Sequence, residues 1–186
     1  MTKLFISHII NSANKEGGII LINLSKFLSS NDLSLNINEI FQIEDKNFLE
    51  KTHLDNNIYF KGSFFKVEDD VLLNGIVKYT YSEECARCLT EFNNAIETKF
   101  EAVVVNYLEN KEASNEIKLV LNEGCVELEE TIKQLIYLSM PMKALCKEDC
   151  KGICPTCGAN LNNEKCKCDN NLTDPRFDKL KDLLND

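Results

Sequence analysis

Six cysteines fall within 23 residues near the end of the chain: Cys146, Cys150, Cys154, Cys157, Cys166 and Cys168. Cys154 and Cys157 form a Cys-x-x-Cys segment, in which Pro155 presets φ and Gly158 tolerates the positive φ of a tight turn. Cys166 and Cys168 follow after a short loop. Because Zn²⁺ takes four thiolates in a tetrahedron, these last four cysteines predict a zinc site. Redox chemistry and unliganded structural cysteines are the alternatives.

Of the five cysteines that remain once that site is satisfied, four occur in pairs: Cys85, Cys88, Cys146 and Cys150. Together they predict a second zinc site that clamps the end of the chain to its body, so the two pairs are expected to lie close in space. One alternative is a single zinc with a different choice of ligands. Another is a Cys85 and Cys88 pair that only packs. A thioredoxin-like function for this pair is disfavoured because no βαβ pattern surrounds it.

Other candidate groups have simpler interpretations. Cys125 lacks a near partner and is expected to be a small apolar core residue. Arg87 is expected to offset thiolate charge, contact an RNA phosphate, or lie solvated in its loop. His8 and His53 are isolated, which favours surface or packed positions. The sequence contains no phosphate-cradling glycine loop, no nucleophile elbow and no open zinc site, so we predict no enzyme, no catalytic residue and no cofactor-binding residue besides the metal ligands.

The composition indicates the cellular setting. The chain has 186 residues and a net charge of −9, and this acidity argues against tight sequence-independent binding to naked nucleic acid, which depends on Lys and Arg. It contains no apolar run long enough for a transmembrane helix and no recognisable signal cleavage site. We therefore expect a soluble cytoplasmic protein, in which a reducing environment favours metal ligands over disulfides.

The hydrophobic pattern must supply the scaffold for the cysteines. Apolar alternation and β-rich composition predict strands at residues 4–10, 33–43, 58–67, 71–81, 92–107 and 117–121. A helical period predicts a helix over 127–139, and Asp174-Pro175 predicts the start of a short C-terminal helix. The fold class is therefore predicted to be α+β, with a mostly antiparallel β body, one long helix, a cysteine-rich zinc-binding tail and the short helix.

This order of elements places the first cysteine pair, and the composition places the boundary between the body and the tail. Cys85-Ala-Arg-Cys88 lies between two predicted strands, which places the first cysteine pair at the tip of a hairpin. The composition changes after residue 145. We therefore predict a body at 1–145 and a zinc-binding tail at 146–186.

The cysteine segments resemble those of a known family. The matching stretches are Cys85-Ala-Arg-Cys-Leu89, the run from Cys146 through Asn160-Leu-Asn162 to Cys168, and Asp174-Pro-Arg-Phe177. They are similar to the YceD family of large-ribosomal-subunit RNA accumulation proteins. The resemblance implies a role in ribosome biogenesis, in support of normal 23S rRNA levels. The acidic charge then favours a basic ribosomal protein or a large-subunit assembly intermediate as partner, with 23S rRNA itself as an alternative; no membrane and no small-molecule substrate are expected.

Overall fold

We describe a computed structural model that covers residues 20–68, 70–106 and 116–168. The chain forms two compact units. The first comprises residues up to 83 together with 93–142, and the second comprises 84–92 together with the chain from 143 onward. The second unit thus includes the hairpin tip that the sequence analysis assigned to the body. The division into a body at 1–145 and a zinc-binding tail at 146–186 stays a prediction.

The first unit is built on a seven-stranded sheet with the order β1-β7-β6-β5-β4-β3-β2. Its strands are β1 (Leu21–Asn23), β2 (Ser34–Gln42), β3 (Asn57–Val67), β4 (Asp70–Glu84), β5 (Glu91–Val105), β6 (Ile117–Asn122) and β7 (Cys125–Glu127). The predicted strands within the described residues are therefore present. The strand predicted at residues 4–10 lies outside the described residues.

The sheet is mixed. Strand β3 pairs antiparallel with β2 and β4, and β7 pairs antiparallel with β1 and β6. Strands β5 and β6, however, run parallel, with Val104 opposite Leu119. The prediction of a mostly antiparallel body missed this pair, because alternation identifies a strand but does not give its direction.

Three short helices lie in the described residues: α1 (Ser25–Ser29), α2 (Lys46–Thr52) and α3 (Glu129–Ser139). Helix α3 confirms the predicted helix, with Glu129 and Glu130 in its first turn and Ile132 and Ile136 buried. At 11 residues it is of ordinary length, so the prediction of one long helix was wrong. Helices α1 and α2 are too short to show a clear helical period. The predicted C-terminal helix lies outside the described residues.

Strict alternation along β3 gives the sheet one buried and one exposed side. Ile58, Phe60 and Phe64 are fully buried, whereas Tyr59 and Phe65 are exposed. On the buried side Gly62 lies opposite Gly75, and a Cβ at either position would collide with the ring of Phe60 or Phe100. The glycines therefore leave room for aromatic side chains in the core. No helix in the described residues is both long and apolar enough to cross a membrane.

Strands β4 and β5 present the first cysteine pair. They are neighbours in the sheet and are joined by only six residues, so they must run antiparallel. Lys78 pairs with Glu97 at 2.6 Å, and Ser82 Oγ donates to Asn93 Oδ1 at 2.8 Å. These two contacts belong to one continuous antiparallel register. The predicted hairpin is therefore present, with Cys85 and Cys88 at its tip.

The N-terminus of α2 offers a test of the first unit's packing. Asp45 accepts a hydrogen bond from the Phe48 N–H at 3.1 Å, and its other oxygen pairs with Lys133 of α3 at 3.2 Å. The Phe48 N–H and Lys133 together hold the pKa of Asp45 below its usual value. The stabilisation is therefore present above the unfolded-state pKa and is lost as pH falls through the lower folded-state pKa.

We predict that Asp45→Ala lowers the midpoint of thermal unfolding at pH 7 by roughly 3 °C, because it removes a helix cap. Asp45→Asn keeps an oxygen for the Phe48 N–H and should lower the midpoint less. Calorimetry on the two variants checks this. Equal losses in both variants would show that capping contributes nothing.

Candidate metal centres

The first cluster consists of Cys85, Cys88, Cys146 and Cys150. Their four Sγ atoms all lie within 4.8 Å of one another. Cys85 Sγ is 3.7 Å from Cys150 Sγ, and Cys88 Sγ is 3.6 Å from Cys146 Sγ. These distances confirm the prediction that the hairpin pair lies beside the tail pair.

A tight turn shapes the hairpin side of this cluster. The Leu89 N–H donates to the Cys85 carbonyl at 2.9 Å, and the Cys85 N–H donates to the Thr90 carbonyl at 3.0 Å. Leu89 adopts a φ of 58°, in the left-handed region that favours glycine. The Ala86 N–H also donates to the Ala144 carbonyl at 2.9 Å, which brings the tail segment against the turn.

The second cluster consists of Cys154, Cys157, Cys166 and Cys168, whose Sγ atoms also lie within 4.8 Å of one another. Cys166 Sγ is 3.4 Å from Cys157 Sγ and 3.3 Å from Cys154 Sγ. The Gly158 N–H donates to the Cys154 carbonyl at 2.9 Å, and Gly158 has a φ of 74°. This turn repeats the one at Cys85, with Gly158 at the position that Leu89 occupies there.

The sulfur spacing in both clusters fits a tetrahedral metal. A Zn–S bond of about 2.3 Å places the sulfurs of one ion about 3.8 Å apart. The separations of 3.3 to 3.7 Å between sulfur atoms are close to that value and far longer than a disulfide bond. All nine cysteines lie in the described residues, and none is joined in a disulfide. Each cluster would therefore hold one zinc with four protein ligands and no open position.

Backbone amides stabilise the thiolate form of one cysteine in each cluster. Burial disfavours the Cys85 thiolate, but the N–H groups of Cys146, Arg87 and Cys88 outweigh it and lower its pKa to about 6. The N–H groups of Cys157 and Thr156 lower the pKa of Cys154 to about 6 in the same way. The chain thus supplies an easily ionised thiol to each site.

Another sulfur in each cluster resists ionisation. Burial, together with the sulfurs of Cys88 and Cys85, raises the pKa of Cys146 to about 12. The neighbouring sulfurs of Cys166 and Cys157 raise the pKa of Cys168 to about 12. Four thiolates so close together need a cation among them, because like charges at this separation disfavour the charged form.

Arg87 supports the backbone of the first cluster. Its guanidinium Nη1 donates to the Cys150 carbonyl at 3.0 Å. The Arg87 carbonyl also lies 3.1 Å from the place where a Cβ on Gly152 would be, and Gly152 has a φ of 74°. Glycine at 152 thus lets the tail segment approach the turn closely. Of the three roles considered for Arg87, none included this contact with backbone.

Two asparagines form a polar connection that the spacing of cysteines did not reveal. Asn162 Nδ2 donates to Cys150 Sγ at 3.3 Å, and Asn162 Oδ1 accepts from the Lys151 N–H at 2.9 Å. Asn160 Oδ1 accepts from Asn162 Nδ2 at 3.0 Å, and Asn160 Nδ2 donates to Thr90 Oγ1 at 3.2 Å. The loop of the second cluster is thereby bonded to a ligand of the first. The only sequence signal was the appearance of Asn160-Leu-Asn162 among the residues that carry the family resemblance.

The remaining candidate residues lie apart from both clusters. Cys125 is in β7 and is half-buried, so it is less enclosed than the predicted core residue, and no metal-ligand group in the described residues includes it. His53 is exposed at the end of α2, with a φ of 49°. His8 lies outside the described residues.

Comparison with known proteins identifies a family over the whole cysteine-bearing region. A family model described as "Large ribosomal RNA subunit accumulation protein YceD" matches residues 73–184, which is more than half of the chain. The match contains both clusters. No solved structure matches this chain.

Individual relatives are similar over shorter stretches. An uncharacterized protein of Mycobacterium tuberculosis is 31% identical over 121 residues, which is 63% of this chain and 58% of the relative. A chloroplastic protein of Arabidopsis thaliana, named large ribosomal RNA subunit accumulation protein YCED homolog 1, is 36% identical over 58 residues, or 31% of this chain and 18% of the relative. The matched region thus spans little more than half the length of the mycobacterial relative.

We predict that Asn162→Ala weakens zinc binding by about tenfold or more. Loss of a side chain that hydrogen-bonds to a metal ligand typically lowers the metal affinity by roughly 10- to 100-fold. Asn163→Ala is the matched control, since Asn163 is exposed in the same turn. Titration against a competing zinc chelator measures both. Equal zinc affinities in the two variants would contradict a role for Asn162 in holding Cys150.

Proposed function

Because the chain belongs to the YceD family, we propose that it is a non-enzymatic ribosome-biogenesis factor that supports the accumulation of 23S rRNA and carries two structural zinc ions. The geometry of both clusters supports the zinc assignment, because each cluster brings four cysteine sulfurs to within 4.8 Å of one another. The family description supports the ribosomal role.

A structural role for zinc follows from the ligand sets. A catalytic zinc keeps a position for water or substrate, whereas four thiolates fill the tetrahedron. Cys85, Cys150 and Cys154 are moreover nearly inaccessible to solvent. When bound, the metal would supply cross-links between distant segments of the second unit, and its binding free energy would become folding free energy.

The net charge supports the proposed partner. At −9, the chain is attracted at long range to basic surfaces, and ribosomal proteins are abundant basic surfaces in a cytoplasm. We therefore propose that the protein acts in the cytoplasm on a ribosomal protein or on a large-subunit assembly intermediate. A zinc adaptor unrelated to ribosomes would show the same clusters, so only a cellular readout separates the two functions.

The test measures rRNA in cells whose own copy of this gene is deleted. We expect the ratio of 23S to 16S rRNA to fall and to be restored by the wild-type chain but not by Cys154→Ser. Cys125→Ser is the matched control and should restore the ratio, because Cys125 belongs to neither cluster. Immunoblotting must show comparable amounts of each protein. An unchanged ratio in the deletion strain, or full restoration by Cys154→Ser, would contradict the proposal.

A further inference from the structure

The solvent-facing side of strands β2 to β5 carries an unusual set of side chains. We call it the open face and define it by the even-numbered residues of β2 and β4 and the odd-numbered residues of β3 and β5, among them Ile40, Tyr59, Lys61, Phe65, Asn74 and Lys99. Tyr59 is 55% exposed, Ile40 56% and Phe65 36%. A sheet side that only contacts water would not be expected to present a group of large apolar and aromatic residues.

Lysines are interleaved with these apolar groups. Lys61 lies opposite Ile76, and Tyr59 lies opposite Lys78. Lys78 is engaged with Glu97 at 2.6 Å, whereas neither Lys61 nor Lys99 forms an ion pair with any residue that the structure describes. A shallow depression of about 620 Å³ lies between them, lined by Lys61, Ser63, Asn74, Ile76, Lys99 and Glu101. In a chain of net charge −9, this depression has an excess of positive charge.

The chemistry of the open face matches that of one kind of ligand. Exposed aromatic rings on a sheet stack on unpaired bases, lysines contact phosphates, and amide or hydroxyl side chains hydrogen-bond to base edges. Tyr59, Lys61 and Asn74 bring these three chemistries onto two adjacent strands.

We infer that the open face binds single-stranded RNA, with Tyr59 as a stacking platform and Lys61 and Lys99 as phosphate contacts. An acidic protein partner would use the lysines but would leave the exposed aromatic and amide groups without a matching role, so RNA is the favoured occupant. Tyr59 and Lys61 precede the residues matched by the family model. The inference therefore rests on this chain's own sheet and not on the proposed function.

Two phosphate contacts give a distinctive salt dependence. For single strands the slope of log affinity against log salt is about −0.7 per contact, so roughly −1.4 is expected here. This shallow slope agrees with the acidic composition, since stacking rather than charge would supply most of the affinity. Removal of one lysine should make the slope shallower by about 0.7.

The experiment uses the 186-residue chain purified without chelators and a fluorescein-labelled 12-nucleotide RNA of mixed sequence. Binding is followed by fluorescence anisotropy at several salt concentrations. We expect Tyr59→Ala to weaken binding about tenfold and Tyr59→Phe to bind like wild type, because phenylalanine retains the stacking ring. Lys61→Ala should weaken binding and flatten the salt slope. Lys46→Ala is the control, since Lys46 is exposed on α2, outside the open face.

Three results would overturn the inference: no RNA binding at low salt, equal binding by Tyr59→Ala and wild type, or a photo-crosslinker at position 59 that captures only protein in cells. Circular dichroism must show that all four variants are folded. If the wild-type chain binds no RNA while deletion of its gene lowers the 23S to 16S rRNA ratio, this inference fails and the proposed function stands. If the open face binds RNA while that ratio is unchanged in the deletion strain, the proposed function fails and this inference stands.

Discussion

The second unit depends on bringing eight cysteine sulfurs into two tetrahedral groups. Its buried cluster consists of Cys85, Cys88 and Cys150, with Phe92, Leu145 and Cys146 packed against them. So few apolar side chains bury little surface, and a module of this size needs staples to fold. The same sulfurs repel one another as thiolates, so the compact arrangement requires a cation. Metal–sulfur bonds would meet both needs, and the turns and hydrogen bonds of the unit place the sulfur atoms where such bonds could form.

The turns show how backbone geometry serves this requirement. Cys85 to Leu89 and Cys154 to Gly158 fold alike, each closed by a hydrogen bond from the fifth residue to the first carbonyl. The fifth residue has a positive φ in both. Gly158 accepts that conformation without penalty, while Leu89 holds it at a cost of about 1–2 kcal/mol. The structure tolerates that cost because the hairpin tip and the tail segment must meet there to form the first cluster.

Sequence reasoning succeeded where the chemistry is local or where ligand counting favours one grouping over its alternatives. The Cys154 turn follows from Pro155 and Gly158, and the grouping of Cys85 and Cys88 with Cys146 and Cys150 was favoured because these cysteines remain in pairs once the other site is satisfied. It failed where tertiary context decides. The parallel pairing of β5 and β6 has no signature in alternation, and the bonds from Asn162 to Cys150 depend on a loop conformation that no spacing encodes. The open face was also missed, because residues brought together from separate strands form no charge run in the sequence.

The most direct measurement is X-ray absorption at the zinc K-edge, combined with metal analysis of protein purified without chelators. Our account predicts two zinc ions per chain, each surrounded by four sulfur atoms at about 2.3 Å. A zinc content well below one with freely reactive thiols, or an average first shell with fewer than three sulfurs and clear oxygen or nitrogen ligands, would contradict it.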